Sequence, residues 1–127
     1  MTQTQTPPTL TGQELAIMKV VWGKKDATVR EVYETLRERR RIAYTTVMTM
    51  MNILETKGFL LKEPHGRAFR YRPAQPERRV LTAMVREFVD RVFDGAARPL
   101  LVHLAADGRL SKAERAELKR LIDGAES

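Results

Sequence analysis

Cysteine is absent from the 127 residues. That excludes disulfides and thiolate metal sites, and it is compatible with a reducing compartment. The two histidines, His65 and His103, have no carboxylate or thiol at ligand spacing. The chain also has no phosphate-cradling glycine loop, no nucleophile elbow and no HExxH motif. Its carboxylates lie mostly among lysines and arginines, as solvated ion pairs do. We therefore expect no enzymatic chemistry, no bound metal and no cofactor. Long apolar runs are missing too, and nothing approaches the roughly 18 residues that span a bilayer. The stretch from Met1 to Thr9 has no charged n-region and no apolar h-region, so a signal peptide is not expected and the cytoplasm is the expected location. Residues 1–9 are polar and contain proline, the composition of a disordered tail.

What the chain does have is positive charge, unevenly placed. The formal net charge is +7 and the pI is near 10.1. Residues 1–75 hold 13 Lys/Arg against 7 Asp/Glu, whereas residues 76–127 hold 10 against 9. A basic half joined to a nearly neutral half suggests a polyanion-binding head and a tail with another task. Basic proteins also bind membranes or simply stay soluble, so charge alone does not decide the partner.

The most informative segment runs from Ala43 to Tyr71. Val47, Met50, Met51 and Leu54 recur at i, i+3, i+4, i+7, the stripe of an amphipathic helix with one buried face. Thr45, Met48, Thr49 and Asn52 form the opposite face, which is small and uncharged. The helix is expected over about 43–57, ending at Gly58, where glycine adopts a left-handed cap easily. Ala43 and Tyr44 are poor N-caps, so its start is the weakest boundary. Strands are expected at about 59–63 and 68–72, joined by a turn around Pro64, His65 and Gly66. Phe69 and Tyr71 alternate with Arg70 and Arg72, the period-two pattern of a strand with one face covered. A helix followed by a basic hairpin is the layout of a winged helix-turn-helix, although an ordinary surface helix and hairpin would share the pattern.

Upstream, Thr11 to Glu14 and Thr28 to Glu31 read as capping boxes opening two helices. The first carries Leu15, Met18, Val21 and Trp22 on one side and stops near Gly23. The second turns Val29, Val32, Tyr33 and Leu36 inward and ends in Arg37, Arg39, Arg40 and Arg41. Those cations complement a helix dipole, and they also stand where phosphates would lie beside the next helix. Both readings remain open at this point.

Residues 73–76, Pro-Ala-Gln-Pro, mark a hinge between a 10–75 head and a 76–127 tail. The tail reads as helical, with Leu81, Val85, Phe88 and Val92 spaced 4-3-4. A short helix should start near Pro99 and carry Leu100, Leu101 and Leu104. A third capping box, Ser111 to Glu114, opens a last helix with Leu118, Leu121 and Ile122. So short a tail cannot bury this apolar surface alone. Pairing with a second copy through Leu81, Val85, Phe88, Val92, Leu101, Leu104, Leu118 and Ile122 would do so, as would packing back onto the head. The expected fold class is therefore mainly α with one small hairpin: a winged helix-turn-helix head plus a C-terminal helical dimerisation module.

Taken in order, several elements form a set: Leu10 and Thr11, Glu14 to Met18, Trp22, Thr28 to Val32, Ala43 to Val47, Lys57 to Leu60 and Phe69 to Tyr71. In that order they resemble the penicillinase-repressor (BlaI/MecI) family of bacterial winged-helix regulators, over about residues 10–123. The resemblance implies a homodimer whose heads bind a palindromic operator of β-lactam resistance genes. It also implies a membrane-bound sensor protease that relieves repression by triggering cleavage of the repressor. Three departures stand out. His103-Leu104 replaces the Asn-Phe bond at which such members are cut. The cysteine motifs of the copper-responsive branch are absent. Thr45 and Met48 stand where well-known members place a lysine and an arginine.

On this reading Thr45, Met48 and Thr49 touch thymine methyls and nearby acceptors, and Asn52 pairs with adenine if it reaches the base edge. Tyr44 and Thr46 meet phosphate oxygens at the helix start. Arg41, Arg67 and Arg70 neutralise phosphates. The alternatives are a non-specific architectural DNA-binding protein or a winged-helix protein-interaction module. The uncharged helix face argues against the first, and the basic head against the second.

Overall fold

The computed structural model describes residues 9–126, apart from the side chains of Ile122, Ala125 and Glu126. Of the tail expected over residues 1–9, residues 1–8 lie outside the described residues, as does the interface role expected of Ile122. In chain order the elements are α1 (Gly12–Lys24), α2 (Val29–Leu36), α3 (Tyr44–Thr56), β1 (Leu60–His65), β2 (Ala68–Pro73), α4 (Glu77–Phe93), α5 (Ala97–Ala106) and α6 (Lys112–Glu126). Two compact units result, one ending at Thr82 and the other beginning at Ala83.

Local chemistry sets the helix ends of the first unit. Thr11 Oγ1 accepts from the Glu14 amide at 3.1 Å, while Glu14 Oε1 accepts from the Thr11 amide at 2.9 Å. Thr28 and Glu31 repeat this arrangement at 3.1 and 3.0 Å. Each box satisfies two amides that a helix start leaves free. At the far end of α3, the Phe59 amide donates to the Leu54 carbonyl and the Gly58 amide to the Glu55 carbonyl. This is the Schellman pattern, with Gly58 at φ +89° and the buried pair Leu54 and Phe59 closing over it. Helix α1, expected to stop near Gly23, ends at Lys24, and Lys25 after it takes a positive φ of 76°.

The core of this unit is built from α1, α2, α3 and the hairpin, with Ile17, Met18, Val21, Val32, Val47, Met51, Leu54, Leu60 and Tyr71 fully covered. On α1 the buried set is Glu14, Ile17, Met18 and Val21, whereas Leu15 and Trp22 are only half-buried. Trp22 settles at the edge of the core because its indole N–H donates to the Gln75 carbonyl at 3.0 Å. Met50 is also half-buried rather than central.

The strands pair antiparallel with His65 opposite Ala68, so the turn is Gly66-Arg67, while Pro64 and His65 belong to β1. Gly66 takes the one positive φ of that turn, +63°, at the first loop position, where a type II′ turn requires glycine. The Tyr71 and Ala27 backbones exchange hydrogen bonds at 2.8 and 2.9 Å, which pins the hairpin to the α1–α2 connection.

In the second unit α5 begins at Ala97, two residues before the expected start. Pro99 thus sits within the first turn, where its missing N–H costs nothing. The expected third box is formed, with Ser111 and Glu114 exchanging bonds at 2.8 and 3.0 Å. None of the described side chains in this unit is buried. Val85, Phe88, Val92, Val102 and Leu121 are exposed, and Leu101, Leu104 and Leu118 are half-buried.

Candidate nucleic-acid interface

Helix α3 turns Val47, Met51 and Leu54 into the core, so the positions between them in its first two turns form an outward row. Tyr44, Thr45, Met48 and Thr49 are exposed along it, and Thr46 is half-buried at its start. No charged side chain belongs to this row. Its first turn also has no side-chain cap, because Ala43 offers no acceptor. The Tyr44, Thr45 and Thr46 amides therefore combine with the helix dipole at an end favourable to an anion.

Cations surround the row. Arg39, Arg40 and Arg41 are exposed before α3 and pair with no carboxylate among the described residues, whereas Arg37 meets Glu34 at 3.6 Å. Arg67 is exposed at the hairpin tip and likewise has no acidic partner among the described residues. Arg30 lies over the Tyr44 ring at 5.4 Å, and that ring stands edge-on to Tyr33 at 5.5 Å. Between the start of α2, the outer face of α3 and the hairpin runs a groove of about 490 Å³, lined by Arg30, Tyr44, Met48, Lys62, Arg67 and Phe69 among others. No acidic side chain lines it.

Two expected contacts are engaged elsewhere. Asn52 is half-buried, and its Oδ1 accepts from both Lys62 Nζ and the Tyr71 hydroxyl, each at 3.0 Å. Its Nδ2 donates to the Met48 carbonyl at 3.1 Å. A bidentate pair with adenine needs that oxygen free, so the expected base contact does not fit this geometry. Arg70 closes the foot of the hairpin, with Nε donating to Asp26 at 3.1 Å and a terminal nitrogen reaching Glu31 at 3.2 Å. The Asp26 hydrogen bond raises the Arg70 pKa, with the charges of Glu31 and Asp26 adding to it. Arg70 is thus neutralised within the protein rather than offered to a phosphate.

Lys62 and Arg30 are cations of the groove that the sequence pattern did not single out. The signal for Lys62 was available: in the antiparallel register it sits opposite Tyr71, hence on the face turned toward α3. Its ammonium also lies 4.3 Å from the Phe69 ring centre, a cation–π contact. Phe69 itself remains exposed.

In the tail, His103 is exposed and Leu104 half-buried, inside α5. The His103 carbonyl accepts from the Asp107 amide at 3.0 Å, so the bond between them belongs to intact helix. Among the described residues no group of three His, Asp or Glu side chains could hold a metal ion, and no helix is long and apolar enough to cross a membrane.

The penicillinase repressor family model matches residues 10–124. The chain belongs to that family. Penicillinase repressors are transcriptional regulators and not enzymes, and the head described above is their winged-helix DNA-binding domain. One relative, a Mycobacterium tuberculosis transcriptional regulator BlaI, is 32% identical over 111 residues, covering 86% of this chain and 79% of its own length. The solution structure of Bacillus licheniformis BlaI, a monomeric form in complex with the blaP half-operator, is 31% identical with a TM-score of 0.50. It covers 58% of this chain and 90% of that one. Oxidized MarR from E. coli shares the fold alone, at 14% identity and a TM-score of 0.52, over 93% of this chain and 76% of that one.

Proposed function

We infer that this family member is a sequence-specific DNA-binding repressor that acts as a homodimer on a palindromic operator. The observation that carries the reading is an outward α3 face of Thr45, Met48 and Thr49 without charge, bordered by Arg41, Arg67 and Lys62. A purely electrostatic binder would place cations on the helix itself. An uncharged face between cations instead lets phosphates orient the protein while small side chains meet base edges. Tyr44 and Thr46, at the uncapped start of α3, suit phosphate oxygens. Lys62 takes the phosphate role first assigned to Arg70.

The exposed apolar positions of α4 support a second copy: Val85, Phe88 and Val92 lie on one face at helical spacing. Two heads related by a two-fold axis match two half-sites about one helical turn apart. A bound dimer would occlude the polymerase. The names of the relatives, a penicillinase repressor and methicillin resistance regulators, favour β-lactam response genes as targets. Release through a membrane sensor protease at His103-Leu104 would require the end of α5 to unwind first, since that bond lies in hydrogen-bonded helix. The cytoplasm is where such a repressor would act.

The test is selection of bound sites from a random duplex pool at about physiological salt with excess competitor. A recovered palindrome supports the reading. Tight retention without enrichment would replace it with an architectural role. No retention would replace it with a protein partner.

A further inference from the structure

We propose that Asn52 is a positioning residue: it fixes the hairpin at its working distance from α3, and so sets where Lys62 and Arg67 meet the DNA backbone. This rests on the DNA-binding reading above and deepens it. Among the described residues, Asn52 is the one α3 side chain hydrogen-bonded to the hairpin. Its Oδ1 receives one donor from each strand, Lys62 Nζ from β1 and the Tyr71 hydroxyl from β2, both at 3.0 Å. Those two residues are register partners, so the strand pairing itself delivers both donors to one oxygen. A slip of one residue would turn them to the other face.

The rest of the arrangement is fixed from behind. Tyr71 is 2% exposed, and both its backbone N–H and its C=O are bonded to Ala27, so the β2 end of the tie does not move freely. Asn52 Nδ2 is anchored to the Met48 carbonyl one turn back along α3. Lys62 stands between Asn52 and the face of Phe69, and its charge is aimed into the groove rather than spent on a carboxylate. With both lone pairs of Oδ1 filled, Asn52 acts through the hairpin and not on a base.

The experiment measures operator affinity of the full chain over a salt series, together with base preference from the selected pool, for wild type, Asn52→Leu, Asn52→Asp and Tyr71→Phe. Asn52→Leu removes the acceptor. The expected result is a salt slope lower by about one to two, the share of one or two phosphate contacts, with unchanged base preference. Asn52→Asp keeps an acceptor for both donors but spends the Lys62 charge on a carboxylate, so its slope should stay below wild type with base preference unchanged, and a wild-type slope in it would overturn the phosphate role of Lys62. Tyr71→Phe removes one donor from a side chain too buried to touch DNA, so a reduced slope there would reflect positioning alone. Should Asn52→Leu fail to fold by circular dichroism, Tyr71→Phe still decides the matter, and a wild-type slope in it overturns the proposal. A changed preference at one base pair with wild-type slope in Asn52→Leu also overturns it, because Asn52 would then read a base. Failure of the wild type itself to bind DNA would remove the functional reading, which the same titration separates from failure of the tie.

Discussion

Lys57→Met should be among the most destabilising single changes in the head. Lys57 spends all three ammonium protons inside the protein: on Glu14 Oε1 at 2.9 Å, on Glu14 Oε2 at 3.0 Å and on the Thr9 carbonyl at 3.2 Å. The Glu14 side chain is 5% exposed, whereas that of Lys57 is 30% exposed. Burial alone would raise the Glu14 carboxyl. The Thr11 amide and the Lys57 ammonium outweigh burial, and its pKa lies below the usual glutamate value. Removing the cation strands a buried carboxylate, which costs about 3–5 kcal/mol. The lower figure applies here, because the Thr11 amide still donates and Lys57 was partly wet.

At a urea slope of about 1.5 kcal/mol/M, a loss of about 3 kcal/mol moves the midpoint by about 2 M. Trp22 is the only tryptophan and is bonded to Gln75 within the head, so its fluorescence reports this unit. Glu14→Gln should cost only about 1 kcal/mol, since Lys57 can turn to water. The sign with pH is fixed as well. A depressed glutamate contributes stability above its unfolded pKa of about 4.3 and loses it as pH falls through the folded value. The gap between wild type and Lys57→Met should therefore narrow below about pH 4, where a protonated Glu14 needs no cation. A midpoint within about 0.3 M of wild type at pH 7 would refute the reasoning.

Four other outcomes can be checked. Thr28→Ala removes the α2 cap and should cost about 1 kcal/mol in the same urea assay, with no change in base preference. Thr49→Ala should relax discrimination by about 1–3 kcal/mol at one base pair per half-site; an operator library ranked identically by mutant and wild type would rule that contact out. Arg67→Ala should weaken binding equally across sequences and lower the salt slope by about one, measured by fluorescence anisotropy from 50 to about 200 mM salt. Phe88→Glu places a charge on an exposed apolar face and should give monomers with weak operator binding. Sedimentation that still shows a dimer would remove that face from the interface.

Helix ends governed by neighbours within about four residues were largely legible in the sequence. Thr11, Thr28 and Ser111 cap as their spacing to Glu14, Glu31 and Glu114 dictates, and Gly58 closes α3 because only glycine takes that turn without strain. The stripe of Val47, Met51 and Leu54 told which way α3 faces, and hence that Thr45, Met48 and Thr49 look outward. Tertiary structure decided which polar side chains remain available. Glu14 finds Lys57 from 43 positions away, Arg70 finds Asp26 from 44, and Asn52 is claimed by Lys62 and Tyr71. Each is a polar group that composition alone would leave at the surface. Each is bound instead by a partner brought close only when the helices and the hairpin pack, because a half-buried polar atom without a partner costs more than the chain can spare.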